Sequence, residues 1–181
     1  MKTIQSAVIG PLVQNKELPN WWKSDPFNIP LIEIELAATF MDYNPQEDAM
    51  FLKEADQALS NFLAINAFYK FEIAKHVYAN FQAFCNYVSK SDLPAELGSA
   101  QALNILSFVD PTAIFVARRK VNDKDIYIIM TCECAWDKVH GLQLVFRQGK
   151  KLTRVSDQDG HLTTADAFGL DDSDDELLAA F

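Results

Sequence analysis

The sequence has little of what usually marks a function. Three cysteines in 181 residues, an odd count without framework spacing, exclude a disulfide scaffold and predict reduced thiols in a cytosol. No apolar run approaches the roughly 18 residues of a membrane span. The opening Met1-Lys2-Thr3-Ile4-Gln5-Ser6 lacks the apolar core and cleavage site of a secretory signal, so a cytoplasmic chain with no membrane contact is expected. There is no Gly-rich phosphate loop, nucleophile elbow or His-Glu-x-x-His helix, and no cofactor is expected. Cationic charge is also scarce. Sixteen Lys and Arg stand against 25 Asp and Glu, and Arg118-Arg119-Lys120 is the one basic cluster. Without a basic stripe to replace counterions on phosphates, nucleic acid is not an expected partner.

Apolar residues make up 49% of the chain, enough for one domain with a hydrophobic core. The net charge of −9 is unevenly distributed. Residues 166–181 contain Asp166, Asp171, Asp172, Asp174, Asp175 and Glu176 and no base, leaving the other 165 residues at only −3. We therefore divide the chain into a single α+β domain over residues 1–168 and an acidic tail over 169–181. In the tail, Ser173 and Glu176 have capping-box spacing, and Leu177 and Phe181 would share a face of a short helix. So short a helix is not stable alone, so we expect it to dock on its own body or on a second copy, the latter giving a homodimer.

Hydrophobic period supplies the order of elements. Residues 2–14 read as a short strand with a turn at Gly10-Pro11, and "IPLIEIELAATF" as one strand. Leu52, Ala55, Leu59, Phe62 and Leu63 recur at helical spacing. Phe68, Phe71, Val77, Tyr78, Phe81, Phe84, Cys85 and Val88 do so again, as an aromatic core face. A break near Ile65-Asn66 with Asn66 as N-cap is predicted. From residue 112 an antiparallel β-meander of about four strands follows, with turns at 122–125 and 147–150 and a hairpin around Asp137. The fold class is α+β: this meander and the N-terminal strands, packed against two helices.

The chemistry-bearing residues cluster in "CECAWDKVHGLQLVF" and "VSDQDGHL". A three-residue hairpin loop at 137–139 places Trp136 opposite His140, Cys134 opposite Leu142 and Cys132 opposite Leu144. It also puts Cys132, Cys134 and Trp136 on one apolar face with Ile128, Met130 and Leu144. Cysteine there packs as a small hydrophobe. Cys132, Cys134, His140 and His161 are donors suited to zinc, but Cys-x-Cys within a strand has the wrong curvature for one ion, so no metal is expected. Asp137 and His140 can form an acid–base pair. Alternatively, Asp137 caps the turn and His140 packs on Trp136, which is the expected arrangement. Asp157, Asp159, Gly160 and His161 form either a ligand loop or a plain Asp-Gly turn; the turn is expected.

With Gly141 and Gly149, these residues resemble the hallmark of an uncharacterised bacterial domain family of unknown function. Its Cys-acidic-Cys-x-Trp-Asp element leads into Glu-His-Gly, an apolar strand, a Gly turn and a closing Asp-Gly-His. The resemblance extends over most of residues 20–165. Val139 departs from it where Glu is expected, which weakens a Glu-His catalytic pair. The resemblance implies small cytosolic proteins, some standing beside toxin systems as immunity proteins. The first expectation is accordingly a non-enzymatic protein-binding module that blocks a basic bacterial toxin domain, with Trp21, Trp22, Trp136 and Asp159 as binding residues. The alternative is a small hydrolase or a ligand- or metal-binding domain using Asp137, His140 and His161.

Overall fold

A computed structural model describes residues 2–89 and 93–179. The chain opens with β1 (Thr3–Ser6), β2 (Gly10–Gln14), β3 (Trp22–Ser24), β4 (Phe27–Ile29), β5 (Ile34–Leu36) and β6 (Ala38–Phe40). The helices α1 (Phe51–Leu63) and α2 (Ala67–Cys85) come next, then β7 (Val109–Arg118), β8 (Ile126–Cys134), β9 (Leu142–Arg147) and β10 (Lys151–Ser156). Short helices α3 (Thr164–Phe168) and α4 (Glu176–Ala179) close the described chain. Eight strands form one sheet in the order β1-β2-β3-β6-β7-β8-β9-β10, and β4 and β5 form a separate ribbon. Every neighbouring pair is antiparallel except β6–β7.

That parallel pair explains where the helices lie. Parallel neighbours need a long crossover, and α1 and α2 lie within the one joining β6 to β7. They cover the face carrying Leu12, Trp22, Phe40, Ile128, Met130 and Phe146. Asn66 caps α2 as the sequence predicts, its Oδ1 accepting from the Tyr69 N–H at 3.0 Å. The turn between β9 and β10 seats directly on α1: a Cβ at Gly149, whose φ is +63°, would lie 1.9 Å from the Ala58 carbonyl oxygen. The meander is the expected one.

Three expectations need correction. "IPLIEIELAATF" is not one strand. The Ile32 and Glu33 N–H groups both turn back to the Ile29 carbonyl, and Glu33 adopts a φ of 58°. Leu31 is buried within this turn, so its apolar character mimicked strand alternation. The buried stripe of α2 is Ile73, Ala74, Val77 and Phe81, whereas Phe68 is 76% and Phe71 39% exposed. In the tail, Asp175 rather than Ser173 caps α4, accepting from the Leu178 N–H at 3.2 Å. Leu178 is the buried side chain, and the expected contact of Leu177 with Phe181 lies outside the described residues.

The opposite face of the sheet carries Tyr127, Ile129 and Val145, packed by Met41, Phe115, Ala117 and Leu162. Arg119, 1% exposed, anchors the C-terminal segment at its margin. Its Nη1 donates to Asp123 and Asp172 at 2.8 and 2.9 Å, and its Nη2 to Asp166 and Asp172 at 2.6 and 2.7 Å. Asp175 adds a bond from the Ala165 N–H at 2.9 Å, joining α3 to α4. The tail thus docks on its own body, and its Asp172 joins Asp123 and Asp166 in neutralising a buried cation.

Removing one side of a buried ion pair leaves an uncompensated charge, at a cost of about 3–5 kcal/mol. Arg119→Met is expected to lose about that much in denaturant unfolding. Deleting residues 171–181 should lower the thermal midpoint with no change in oligomeric state; an unchanged midpoint would mean that the tail contributes nothing.

Candidate functional site

Two loops meet at one end of the sheet, residues 135–141 between β8 and β9 and residues 157–163 after β10. The β8–β9 register is Met130 with Leu144 and Cys132 with Leu142, two residues from the expected pairing. The strands also end earlier, at Cys134 and Leu142, so the loop is seven residues long rather than three. A slip of two preserves parity, so Cys132 and Cys134 do lie on the core face with Met130 and Leu144. Burial pushes the Cys134 thiol up to about 11, and raises that of Cys132 as well. Both thiols are thus held in the protonated form within the apolar core, which is not the state of an activated nucleophile.

Trp136 does not pair with His140. It turns into the core at 5% exposure, meets Phe81 edge-on at 5.6 Å, and donates from Nε1 to Asn80 at 3.2 Å. Trp22, also expected as an interface anchor, is 2% exposed and bonds the Tyr43 carbonyl at 3.0 Å. Both act in the core: Trp22 lies on the sheet face that the helices cover, and Trp136 turns in from the β8–β9 loop against α2. Trp21 is half-buried and bonds Asp42 at 3.3 Å. It lines a cleft of about 370 Å³ together with Met41, Ile129, Leu162 and His161.

Asp137 combines two roles that the sequence left as alternatives. Its Oδ1 accepts from the Val139 and His140 N–H groups at 3.1 and 3.0 Å, capping the turn. Its Oδ2 lies 2.9 Å from His140 Nδ1, leaving Nε2 of this exposed imidazole free to act as base or ligand. The bond to Asp137, and then its charge, raise the His140 pKa. Burial works against the Asp137 carboxylate, but the His140 and Val139 donors outweigh it and the pKa is lowered. Gly141, at φ +66°, is required here: a Cβ would lie 2.5 Å from Gln158 Nε2 and 2.8 Å from the Cys132 carbonyl.

The second loop is pinned to the first. Gln158 Nε2 donates to the Cys132 carbonyl at 2.8 Å, and the Gln158 N–H to the His140 carbonyl at 3.3 Å. Gln143, 2% exposed, donates from Nε2 to Asp159 at 2.9 Å and to the His161 carbonyl at 3.0 Å. Asp159 also accepts from Arg154 and from the His161 N–H. Asp159 is thereby a structural clamp, and His161 stands beside it with Nδ1 3.4 Å from the carboxylate. Sequence reasoning missed Gln143, Gln158 and Arg154. A glutamine inside "LQLVF" and an arginine inside "LTRV" are the available signals, since polar groups in an apolar strand need partners.

The four donors considered for zinc do not come together. Among the described residues, the one set of three with ligand atoms within 4.8 Å of one another is Asp137, His140 and Asp157. The Asp137 oxygens in it are already hydrogen-bonded.

This end of the sheet is acidic. Asp110 and Glu133 are directly opposite across β7–β8, both exposed. Neither carboxylate, nor that of Asp157, has an ion-pair or hydrogen-bond partner among the described residues. By contrast, the basic cluster at the other end of β7 is neutralised. Arg118 pairs with Asp48 and Glu54, Arg119 with its aspartates, and Lys120 with Asp42.

Trp136→Ala is expected to cost about 3–5 kcal/mol in unfolding free energy. An NMR titration of His140 should give a midpoint above the ordinary value of about 6.5, and Asp137→Asn should lower it. Since the pair favours the protonated ring in the folded chain, its contribution to stability is full below about pH 6.5 and is lost as pH rises through the folded midpoint.

No curated protein and no solved structure matches this chain. One family model does, over residues 8–162. That span holds all the strands from β2 onward, both long helices, the first converging loop and all but the last residue of the second, and the chain belongs to the family described as Domain of unknown function (DUF6985).

Proposed function

We propose that this is a non-enzymatic protein-binding module of a bacterial cytosol, an immunity- or antitoxin-type protein whose partner is a basic toxin domain. The observation that carries the reading is the unpaired Asp110–Glu133 couple. Like charges directly opposite on a sheet are destabilising, and among the described residues no cation pairs with either of them. A partner presenting Lys or Arg would relieve that repulsion and be steered toward it. The tail acidity is not available for this role in full, because Asp172 and Asp175 are engaged within the fold.

The hydrolase alternative has less support. Asp137 orients His140 as a base, but the nearby thiol of Cys134 is protonated and donates to the Asp137 carbonyl at 3.4 Å. A general base on an exposed turn, without a nucleophile or an enclosing cavity, lacks the geometry that catalysis requires.

Asp110→Lys separates folding from binding, because it places a cation opposite Glu133. Unfolding free energy should rise by about 0.2–1 kcal/mol, while capture of a basic partner from the native host at low salt should be lost. Wild-type capture should also weaken as salt increases. Recovery of only acidic proteins, or equal capture by the variant, would rule the reading out.

A further inference from the structure

A second, chemically different site lies on the helix-covered face of the sheet. A cavity of about 270 Å³ opens between α2, the β4–β5 ribbon and the sheet. Its walls are apolar: Leu31 and Ile34 from the ribbon, Ile73 from α2, and Val109, Met130 and Leu144 from the strands. Lys70 of α2, half-buried, is the one cation in the lining. Its ammonium makes no ion pair or hydrogen bond among the described residues, whereas Arg118, Arg119, Lys120 and Arg154 each have a carboxylate partner. Asp110 borders the cavity, yet it does not answer Lys70. It pairs in register with Glu133, and both side chains belong to the opposite face of the sheet from Val109, Cys132 and Cys134.

An apolar chamber with one unanswered cation suits a ligand with an apolar body and a single negative head. At about 30 Å³ per water-sized group, the volume holds about nine such groups. We propose that this cavity binds a small aliphatic monocarboxylate of about eight carbons, its chain against Met130, Leu144 and Ile73 and its carboxylate on Lys70. The outer wall suits entry. The β4–β5 strands hydrogen-bond as a ribbon apart from the main sheet, and the turn joining them contains Glu33 in a left-handed conformation. A ribbon outside the large sheet can shift without breaking its ladder.

The test is a titration of the full chain with octanoate and, in parallel, with octanol, followed by methyl NMR of Ile73, Met130 and Leu144 and by thermal midpoint. Octanoate is expected to saturate a single site, shift those methyl signals and raise the midpoint. Octanol should bind more weakly. Lys70→Gln, a change at a half-exposed position that leaves the core intact, should reduce octanoate affinity about tenfold and leave octanol unaffected, with Lys70→Arg restoring the preference. The proposal fails if octanoate shows no saturable binding in the millimolar range, if its shifts fall on other methyls, or if Lys70→Gln binds it as the wild type does.

Discussion

A single buried guanidinium holds the second half of this fold in place. Arg119 stands at the end of the central strand β7, almost without solvent, and reaches carboxylates in the β7–β8 turn, in α3 and beyond it. Desolvating a cation is costly unless excellent geometry offsets it. Here the planar fork of donors supplies that geometry, which a lysine ammonium cannot reproduce. The consequence runs along the chain. Because Asp166 and Asp172 must meet Arg119, the segment after β10 lies over the back of the sheet. It therefore brings Leu162 onto the Tyr127–Val145 cluster and the Asp157–His161 loop against the β8–β9 loop.

Much of this architecture is legible in the sequence. The four-strand meander, the two helices and the Asn66 cap follow from period and capping chemistry, which are local. The two-helix crossover is not local: nothing in residues 38–40 or 114–116 announces that β6 and β7 are parallel neighbours. The β8–β9 register failed for a related reason. The expected three-residue loop and the observed seven-residue loop give the same apolar faces, so the hydrophobic pattern cannot separate them. Tertiary contacts decide instead, with Trp136 drawn toward Phe81 and Asn80 and Asp137 gathering the backbone N–H groups of its turn.

The motif residues were identifiable as a group, but their roles were not. Most of them knit two loops together. Gly141 makes room for Gln158, Asp159 receives Gln143 and Arg154, and the cysteines fill space. Such a constellation looks catalytic when read along the chain, because polar networks and active sites use the same residue types. The acidic tail posed the converse problem. Docking was expected through its apolar side chains, yet its Asp172 also answers an arginine 53 positions earlier in the chain.

The place where α4 lies has one more effect. β10 is the last strand of the eight-stranded sheet, and an outermost strand presents unpaired backbone groups to any other strand that approaches. Here α2 and α4 both pack against β10, a bulge interrupts its ladder between Leu152 and Arg154, and the Tyr69 hydroxyl takes the Leu152 N–H at 2.6 Å. The opposite margin, β1, is only four residues long. The C-terminal segment is thus also a guard against edge-to-edge pairing between copies, and a chain whose α4 lifts away would be exposed to self-association at β10 even while its core remained folded.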